Sequence, residues 1–384
     1  MACKLCGGKT KKIELLCSNL KIMGQHFPES EVYISSCEKC GLVQYDMQAT
    51  QNDLLKYYVS TTCTPYRYKD NYGEQAANEY FAHLYNEVKD FLSPESYILD
   101  VGGSWGEFAE YMIKKGYTNF YVADPSSQCV DLVRSNGGRA IQTDSTIMKE
   151  EQFPCKFDLI FYNHTLEHIL NLNDTMLNTI GLLKDNGILF IDVPNIEKYV
   201  EANMEPFYFL TYEHVLHFSA NDLDNLSNKY GLEQVGEIKY YNKLSHYPSC
   251  FTLLKKGQKS EEIKYSDKSE KAMKNYLAYC HKKLEDTTEK FRNTKEPLIL
   301  WGIGASTTQL LQGFEGCNVV QLLDKNPTRQ NIGYTISGKK LIIQDPKMVM
   351  KNATIVILPY MYADSIRKQI HEMGIQNKIV SLCF

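Results

Sequence analysis

The stretch Ile98-Leu-Asp-Val-Gly-Gly-Ser-Trp-Gly-Glu-Phe-Ala109 decides the fold. The apolar run over 97–101 reads as a buried parallel strand. It ends in Gly102, Gly103 and Gly106, after which Phe108, Ala109, Met112 and Ile113 recur at helical spacing. A strand, a Gly-rich turn and a helix open a doubly wound nucleotide-binding unit. The glycines let the backbone approach a ligand closely, and the first helical turn presents free N–H groups.

The chain around this stretch has 384 residues, too many for one ordinary domain. Its hydrophobic content of 43% and charged content of 23% are those of a globular protein. A net charge of -4 gives no footprint for nucleic acid or an anionic membrane. No apolar run approaches the ~18 residues that span a bilayer, and the N-terminal Met-Ala-Cys-Lys-Leu-Cys has no signal-peptide core. The expectation is a soluble, cytoplasmic protein. Twelve cysteines are many for a reducing compartment and suggest a metal site where the spacing agrees.

The spacing does agree. Cys3-x-x-Cys6 and Cys37-x-x-Cys40 stand thirty residues apart, each followed by glycine. That glycine permits the tight turn that aims both thiolates of a pair at one ion. Four thiolates close a tetrahedral shell, which suits structural Zn²⁺ and leaves no open position for catalysis. The competing readings are buried thiols or a redox pair, and Cys17 reads as core. Residues 1–50 are thus expected to form a zinc-binding module that docks or covers substrate, since they are not densely basic. Residues 51–94 read as a helical connector in which Tyr57, Tyr58, Tyr66, Tyr68 and Tyr72 crowd around Ser60-Thr61-Thr62. These tyrosines serve either helix packing with wet hydroxyls or a cap over a ligand.

A central domain is expected over 95–256. Its second strand, Phe120-Tyr-Val-Ala-Asp124, ends in a carboxylate roughly 20 residues past the turn, where an acid can accept both ribose hydroxyls. NAD enzymes and S-adenosylmethionine enzymes share that device. The turn here is Asp100-x-Gly102-x-x-x-Gly106, with an acid before the first glycine, and not G-x-G-x-x-G. A third strand ends in Asp144, placed to accept from an adenine amino group. A fourth, Phe157-Asp-Leu-Ile-Phe-Tyr162, runs into Asn163-His164-Thr165-Leu166-Glu167-His168, with Asn163 a further cofactor contact. A sulfonium cofactor needs no pyrophosphate cradle, so a turn poorer in glycine suffices.

These pieces, with Leu182-Leu-Lys-Asp-Asn-Gly-Ile-Leu-Phe-Ile-Asp192, resemble the class I S-adenosylmethionine-dependent methyltransferases over about 95–195. The resemblance implies that Asp100, Gly102, Gly106, Asp124, Asp144 and Asn163 bind S-adenosylmethionine. Downstream, Tyr212, Glu213, His214 and His217 lie in an aromatic stretch expected beside the cofactor's methyl, at the carboxyl ends of the strands. A methyl acceptor must lose a proton, and a His beside an acid is the usual base. The bland alternative is a structural His before the Ser219-Ala-Asn-Asp222 helix cap.

A charged segment over 257–295 reads as a linking helix. Beyond it, Pro297-Leu-Ile-Leu-Trp-Gly-Ile-Gly-Ala-Ser306 begins a second Rossmann-like domain over 296–384, in which a strand ends in Asp324-Lys-Asn-Pro327. The expected class is therefore α/β: a class I methyltransferase Rossmann-like sheet between an N-terminal zinc-binding module and a second, C-terminal Rossmann-like domain.

That order resembles the sugar C-methyltransferases of deoxysugar pathways. The residues carrying the likeness are the four cysteines with Cys40-Gly-Leu-Val-Gln44, Glu213-His214 with Phe218-Ser219, Gly302-x-Gly304-Ala305, Asp324-Lys-Asn-Pro327, and Ile357-Leu-Pro359 with Ala363-Asp364. The resemblance implies a structural zinc and a nucleotide-sugar partner held by His246, Gly302, Gly304 and Asp324. His214 would be the base, with Glu213 and Tyr212 beside it, making an enolate carbon that attacks the methyl. The sequence departs from that family at Thr211-Tyr212-Glu213-His214 and at His246-Tyr247-Pro248-Ser249, both on the sugar side. O- or N-methylation, which needs a base and no ketone, stays open, as does an NAD(P)-dependent oxidoreductase or epimerase.

Overall fold

The computed structural model describes residues 1–18, 20, 27–59, 67–243, 247–258, 262–304 and 307–384. His246, Tyr66, Ser60-Thr61-Thr62 and Ala305-Ser306 lie outside the described residues. The chain divides into two compact units. The first gathers 1–18, 27–198 and 215–273; the second comprises Tyr199–His214, Lys274–Phe384 and Leu20.

The first unit opens with strands β1 Thr10–Cys17, β2 Val32–Cys37 and β3 Val43–Asp46. Helices α1 Gln51–Val59, α2 Tyr68–Tyr72 and α3 Glu74–Val88 follow. Then come β4 Ile98–Val101, α4 Glu107–Lys114, β5 Phe120–Asp124, α5 Ser127–Ser135, β6 Arg139–Gln142, β7 Phe157–Asn163, α6 Leu172–Leu182 and β8 Leu183–Pro194. The unit ends with β9 Leu216–His217, α7 Ala220–Tyr230, β10 Leu232–Gln234, β11 Lys239–Lys243 and β12 Tyr247–Lys256. Helix α8 Lys268–Arg292 starts here and continues into the second unit.

The larger sheet has the order β10-β12-β8-β7-β4-β5-β6, with β11 added on β12. Strands β6, β5, β4, β7 and β8 are parallel, and β12 returns antiparallel on β8. The parallel part is a doubly wound sheet whose switch point lies between β4 and β7, where ligands bind at the carboxyl ends. Its strands are apolar because both faces are covered. One face holds Phe81 and Leu84 of α3 with Phe108 and Met112 of α4 around Phe161 and Phe190.

The N-terminal strands do not stand alone. Val43 and Gln44 of β3 pair with His217 and Leu216 of β9. The four-stranded sheet therefore includes a segment expected to belong to the central domain. Ser36 Oγ donates to Glu270 Oε2 at 2.8 Å. Gly41 has φ +91° and packs so tightly on the Ser266 carbonyl that no Cβ would fit. Apart from Leu20 and Tyr199–His214, the described residues of 1–50, 51–94 and 95–256 thus share one compact unit, in which the N-terminal strands complete their hydrogen bonds with β9.

The second unit builds its own sheet. It contains β13 Leu298–Trp301, β14 Val319–Leu323, β15 Gly333–Ile336, β16 Lys339–Gln344, β17 Thr354–Ile357, α9 Ala363–Glu372 and β18 Ile379–Ser381. The order is β15-β16-β14-β13-β17-β18, parallel except for the β15–β16 hairpin. Trp301, Ile355 and Ile357 lie in its core with Ile370 of α9.

Phe161 lies fully buried at the centre of the first unit's core, with ring centroids 4.9 Å from Phe108 and 4.7 Å from Phe190. Phe161→Ala is expected to cost about 3–5 kcal/mol of stability, by cavity and lost transfer energy. Urea unfolding measures it; a loss below about 1 kcal/mol would show that this core collapses around the gap.

Candidate active site

The glycine turn is built as its sequence requires. Gly102 has φ +75°, and a Cβ there would lie 2.7 Å from Thr165 Cγ2 and Oγ1. Gly106, φ +71°, is the N-cap of α4, and a Cβ would meet Val133. Thr165 Oγ1 in turn donates to the Val101 carbonyl at 3.0 Å. The loop after β7 is thereby seated on the turn after β4, across the switch point.

The carboxylates expected to hold a cofactor lie at this edge. Ser104 N–H donates to Asp124 Oδ2 at 3.0 Å and Ser126 N–H to Oδ1 at 2.8 Å. Both oxygens are fixed and keep lone pairs for a diol. Burial raises the Asp124 pKa against those two bonds. Asp144 Oδ1 accepts from the Thr146 N–H at 2.8 Å and its hydroxyl at 2.5 Å, leaving Oδ2 for a ligand. Asp100 is buried beside Asp124, and burial, then that neighbouring charge, raises its pKa to about 7. Glu107, also buried, accepts from Tyr68 N–H at 2.6 Å and Lys69 N–H at 3.1 Å, which ties the start of α2 to the start of α4. Asn163 Oδ1 is taken by the Tyr80 hydroxyl at 2.6 Å, so its carbonyl serves the chain itself.

The same edge holds a polar cluster that the sequence reading did not assign. His164, with φ +52°, places Nδ1 3.4 Å from Glu167 Oε1 and Nε2 3.4 Å from Asp192 Oδ2. Ser249 Oγ lies 3.1 Å from Nε2. The Tyr241 hydroxyl donates to Asp192 Oδ2 at 2.6 Å and lies 3.2 Å from that of Tyr80. No spacing rule links residues 80, 164, 192, 241 and 249; strand order alone brings them together. A signal was nonetheless present, since Asp192 is an acid closing an apolar strand and Glu167 follows another.

The four cysteines converge. Cys3 Sγ lies 3.6 Å from Cys40 Sγ, Cys6 Sγ lies 3.4 Å from Cys37 Sγ, and all four sulfurs fall within 4.8 Å of one another. Tetrahedral Zn²⁺ with thiolate bonds near 2.3 Å needs sulfurs about 3.8 Å apart. Lys39 and Cys40 N–H donate to Cys37 Sγ at 3.3 and 3.4 Å, as thiolate turns require. A Cβ on Gly8 would lie 3.1 Å from Cys37 Sγ and 3.3 Å from Cys6 Sγ. The donor set fits a structural zinc ion.

Of the remaining expected residues, His246 lies outside the described ones, and the others belong to the second unit, except His217. That side chain is fully buried in β9, its ring 5.1 Å from that of Tyr45, and burial lowers its pKa to about 3. It is a neutral core residue. Tyr212, Glu213 and His214 belong to the second unit. There Gln309 Nε2 donates to the Tyr212 hydroxyl at 3.2 Å, just past the second glycine turn. In that turn Gly302 has φ +91° with Pro359 against it, and Gly304 N–H donates to Thr307 Oγ1 at 2.8 Å. Asp324 closes β14 and accepts from Asn326 N–H at 2.8 Å. Burial raises its pKa, while the Asn326 and Ile303 N–H groups, Arg329 and Lys325 oppose the shift.

Residues 72–237 match the model of a methyltransferase-domain family. No curated protein is significantly similar in sequence. Solved structures are similar at low identity. A methyltransferase from Leishmania major is 16% identical, covering 53% of this chain and 82% of its own, with a TM-score of 0.42. An S-adenosylmethionine-dependent methyltransferase from Clostridium acetobutylicum is 15% identical over 48% of this chain and 92% of its own, at 0.38. The Burkholderia thailandensis 1,6-didemethyltoxoflavin-N1-methyltransferase, solved with its substrate and S-adenosylhomocysteine, is 14% identical over 58% and 97%, at 0.39. The class follows from the match over 72–237 and the sheet beneath it. Residues 72–237 of the first unit carry a methyltransferase domain, built on a sheet of the class I order.

Two outcomes test this site. Cys37→Ser should lower zinc content from about one equivalent per chain to a small fraction, read by metal analysis of protein purified without added zinc. For Asp100 the folded pKa, about 7, lies above its ordinary value of 3.8. Stability from this group is therefore present below pH 4 and lost as pH rises through 7. Asp100→Asn should stabilise the ligand-free protein at pH 8 more than at pH 5, by on the order of a few kcal/mol. Thermal unfolding at the two pH values reads the difference, and equal shifts would sink the assignment.

Proposed function

We propose that the chain methylates a nucleotide-activated sugar, with S-adenosylmethionine as the donor and carbon as the favoured acceptor atom. One observation carries the choice of cofactor. The carboxyl edge of the large sheet holds Asp100, Glu107, Asp124, Asp144, Glu167 and Asp192, all buried, while no Lys or Arg is buried among the described residues. Such an edge repels a pyrophosphate and suits a sulfonium. A dinucleotide oxidoreductase is disfavoured on the same ground.

The acceptor reading is supported by the second unit. Its Gly302–Gly304 turn and Asp324 repeat the plan of the first, but with Lys325 and Arg329 beside the acid. Cations there suit a diphosphate. The four-cysteine site, Glu213-His214 and the two α/β units support the sugar C-methyltransferase reading. In this reading Asp124 and Asp144 hold the ribose and adenine, and His214 takes the acceptor's proton.

The test is mass spectrometry after incubation with S-adenosylmethionine and nucleotide sugars with and without a 4-keto group. A gain of one methyl only on keto sugars, with prior deuterium exchange at the adjacent carbon, is the expected result. His214→Ala should lower turnover at least 100-fold while S-adenosylhomocysteine still binds in calorimetry. Full activity in that variant removes His214 from the reaction, and methylation without the keto group moves the acceptor to oxygen or nitrogen.

A further inference from the structure

A row of polar groups lines the carboxyl edge of the first unit. The Tyr58 hydroxyl lies 3.1 Å from His168 Nδ1, and His168 Nε2 lies 3.9 Å from Glu167 Oε1. Glu167, His164 and Asp192 follow at 3.4 Å each, and Tyr241, Tyr80 and Asn163 close the line. Glu167 and Asp192 are 1% and 0% exposed. Among the described residues neither carboxylate pairs with Lys or Arg. Both Glu167 oxygens and Asp192 Oδ1 accept no hydrogen bond there.

Two carboxylates out of water without a fixed cation are unstable, so a mobile positive charge must balance them. Two such charges occur during methyl transfer. Before it, the sulfonium carries one. In the transfer the S–CH3 bond breaks and its electron pair returns to sulfur, leaving a neutral thioether. The acceptor's electron pair forms the new bond to the methyl carbon, and the acceptor's proton is released. The positive charge passes from sulfur to that proton. The cluster is next to the cofactor turn, since Thr165, between His164 and Glu167, abuts Gly102.

Resting on the reading of this edge as the S-adenosylmethionine site, we propose that the Glu167–His164–Asp192 cluster is a charge-compensating proton site. It binds one more proton when the thioether product is bound than when the sulfonium is bound. The other groups facing it are Tyr68 of α2, Tyr80 and His83 of α3, Tyr241 of β11, Tyr247 and Cys250 of β12, and His217 of β9. None of these is a Lys or Arg, and burial keeps His217 neutral.

The test needs no acceptor. Calorimetric titration of the full chain with S-adenosylmethionine and with S-adenosylhomocysteine, in buffers of different ionisation enthalpy, counts the protons taken up with each. Binding of the product should take up about one proton more than binding of the donor. The affinity for the product relative to the donor should then fall by up to about tenfold per pH unit as pH rises. His164→Gln and, separately, Asp192→Asn should bind the donor yet lose most of the difference. A wild-type difference near zero overturns the proposal, as does one that survives in both variants or one that Asp100→Asn alone removes. Absence of binding by either compound would instead overturn the cofactor reading.

Discussion

The hydrogen bond from the Ser104 N–H to Asp124 is the constraint on which the first unit turns. It joins the glycine turn after β4 to the end of β5, the next strand outward. For that bond to form, Gly102 must adopt φ +75° and leave room for Thr165, and Gly106 must let α4 pass close to Val133. Thr165 then fixes the loop after β7 from the opposite side. One acid, one turn and one threonine thus set the relative heights of three strands at the edge where a ligand binds. The second sheet repeats the device, with Asp324 drawn towards the turn at Ile303. A single physical solution serves both sheets: a carboxylate pinned by turn N–H groups, so that its remaining lone pairs point in a fixed direction.

Much of this was legible in the sequence because it depends on local chemistry. The glycines with positive φ, the acids that close strands, the cysteine spacing and the Ser219–Asp222 capping box are all signals within a few residues. What was not legible depends on strand order. His164, Asp192, Tyr241 and Ser249 meet only because β12 returns antiparallel onto β8 and carries β11 with it. Likewise, nothing local says that Leu216 and His217 complete the N-terminal sheet. That pairing explains why His217 is core. A histidine in an aromatic stretch near Glu213 reads as a base or as a structural residue, and its place on the edge strand of the N-terminal sheet favours the second.

The burial pattern also bears on how this fold handles charge. Burying a carboxylate is costly, and proteins ordinarily offset that cost with Arg or Lys. Here six acids are gathered at one sheet edge, with no Lys or Arg buried among the described residues. The backbone carries part of the compensation: two N–H groups on Asp124, one on Asp144 and two on Glu107. Asp100, with Asp124 beside it, receives less and is pushed to a pKa near neutrality. Glu167 and Asp192 are left with histidines, whose charge is conditional. The edge is therefore incomplete as an electrostatic object, and a bound cation completes it. Negative charge concentrated around a sulfonium stabilises the reactant, which by itself would slow transfer. A cluster that binds a proton once the sulfonium is gone would remove that difficulty, because the charge it favours is then present on both sides of the reaction.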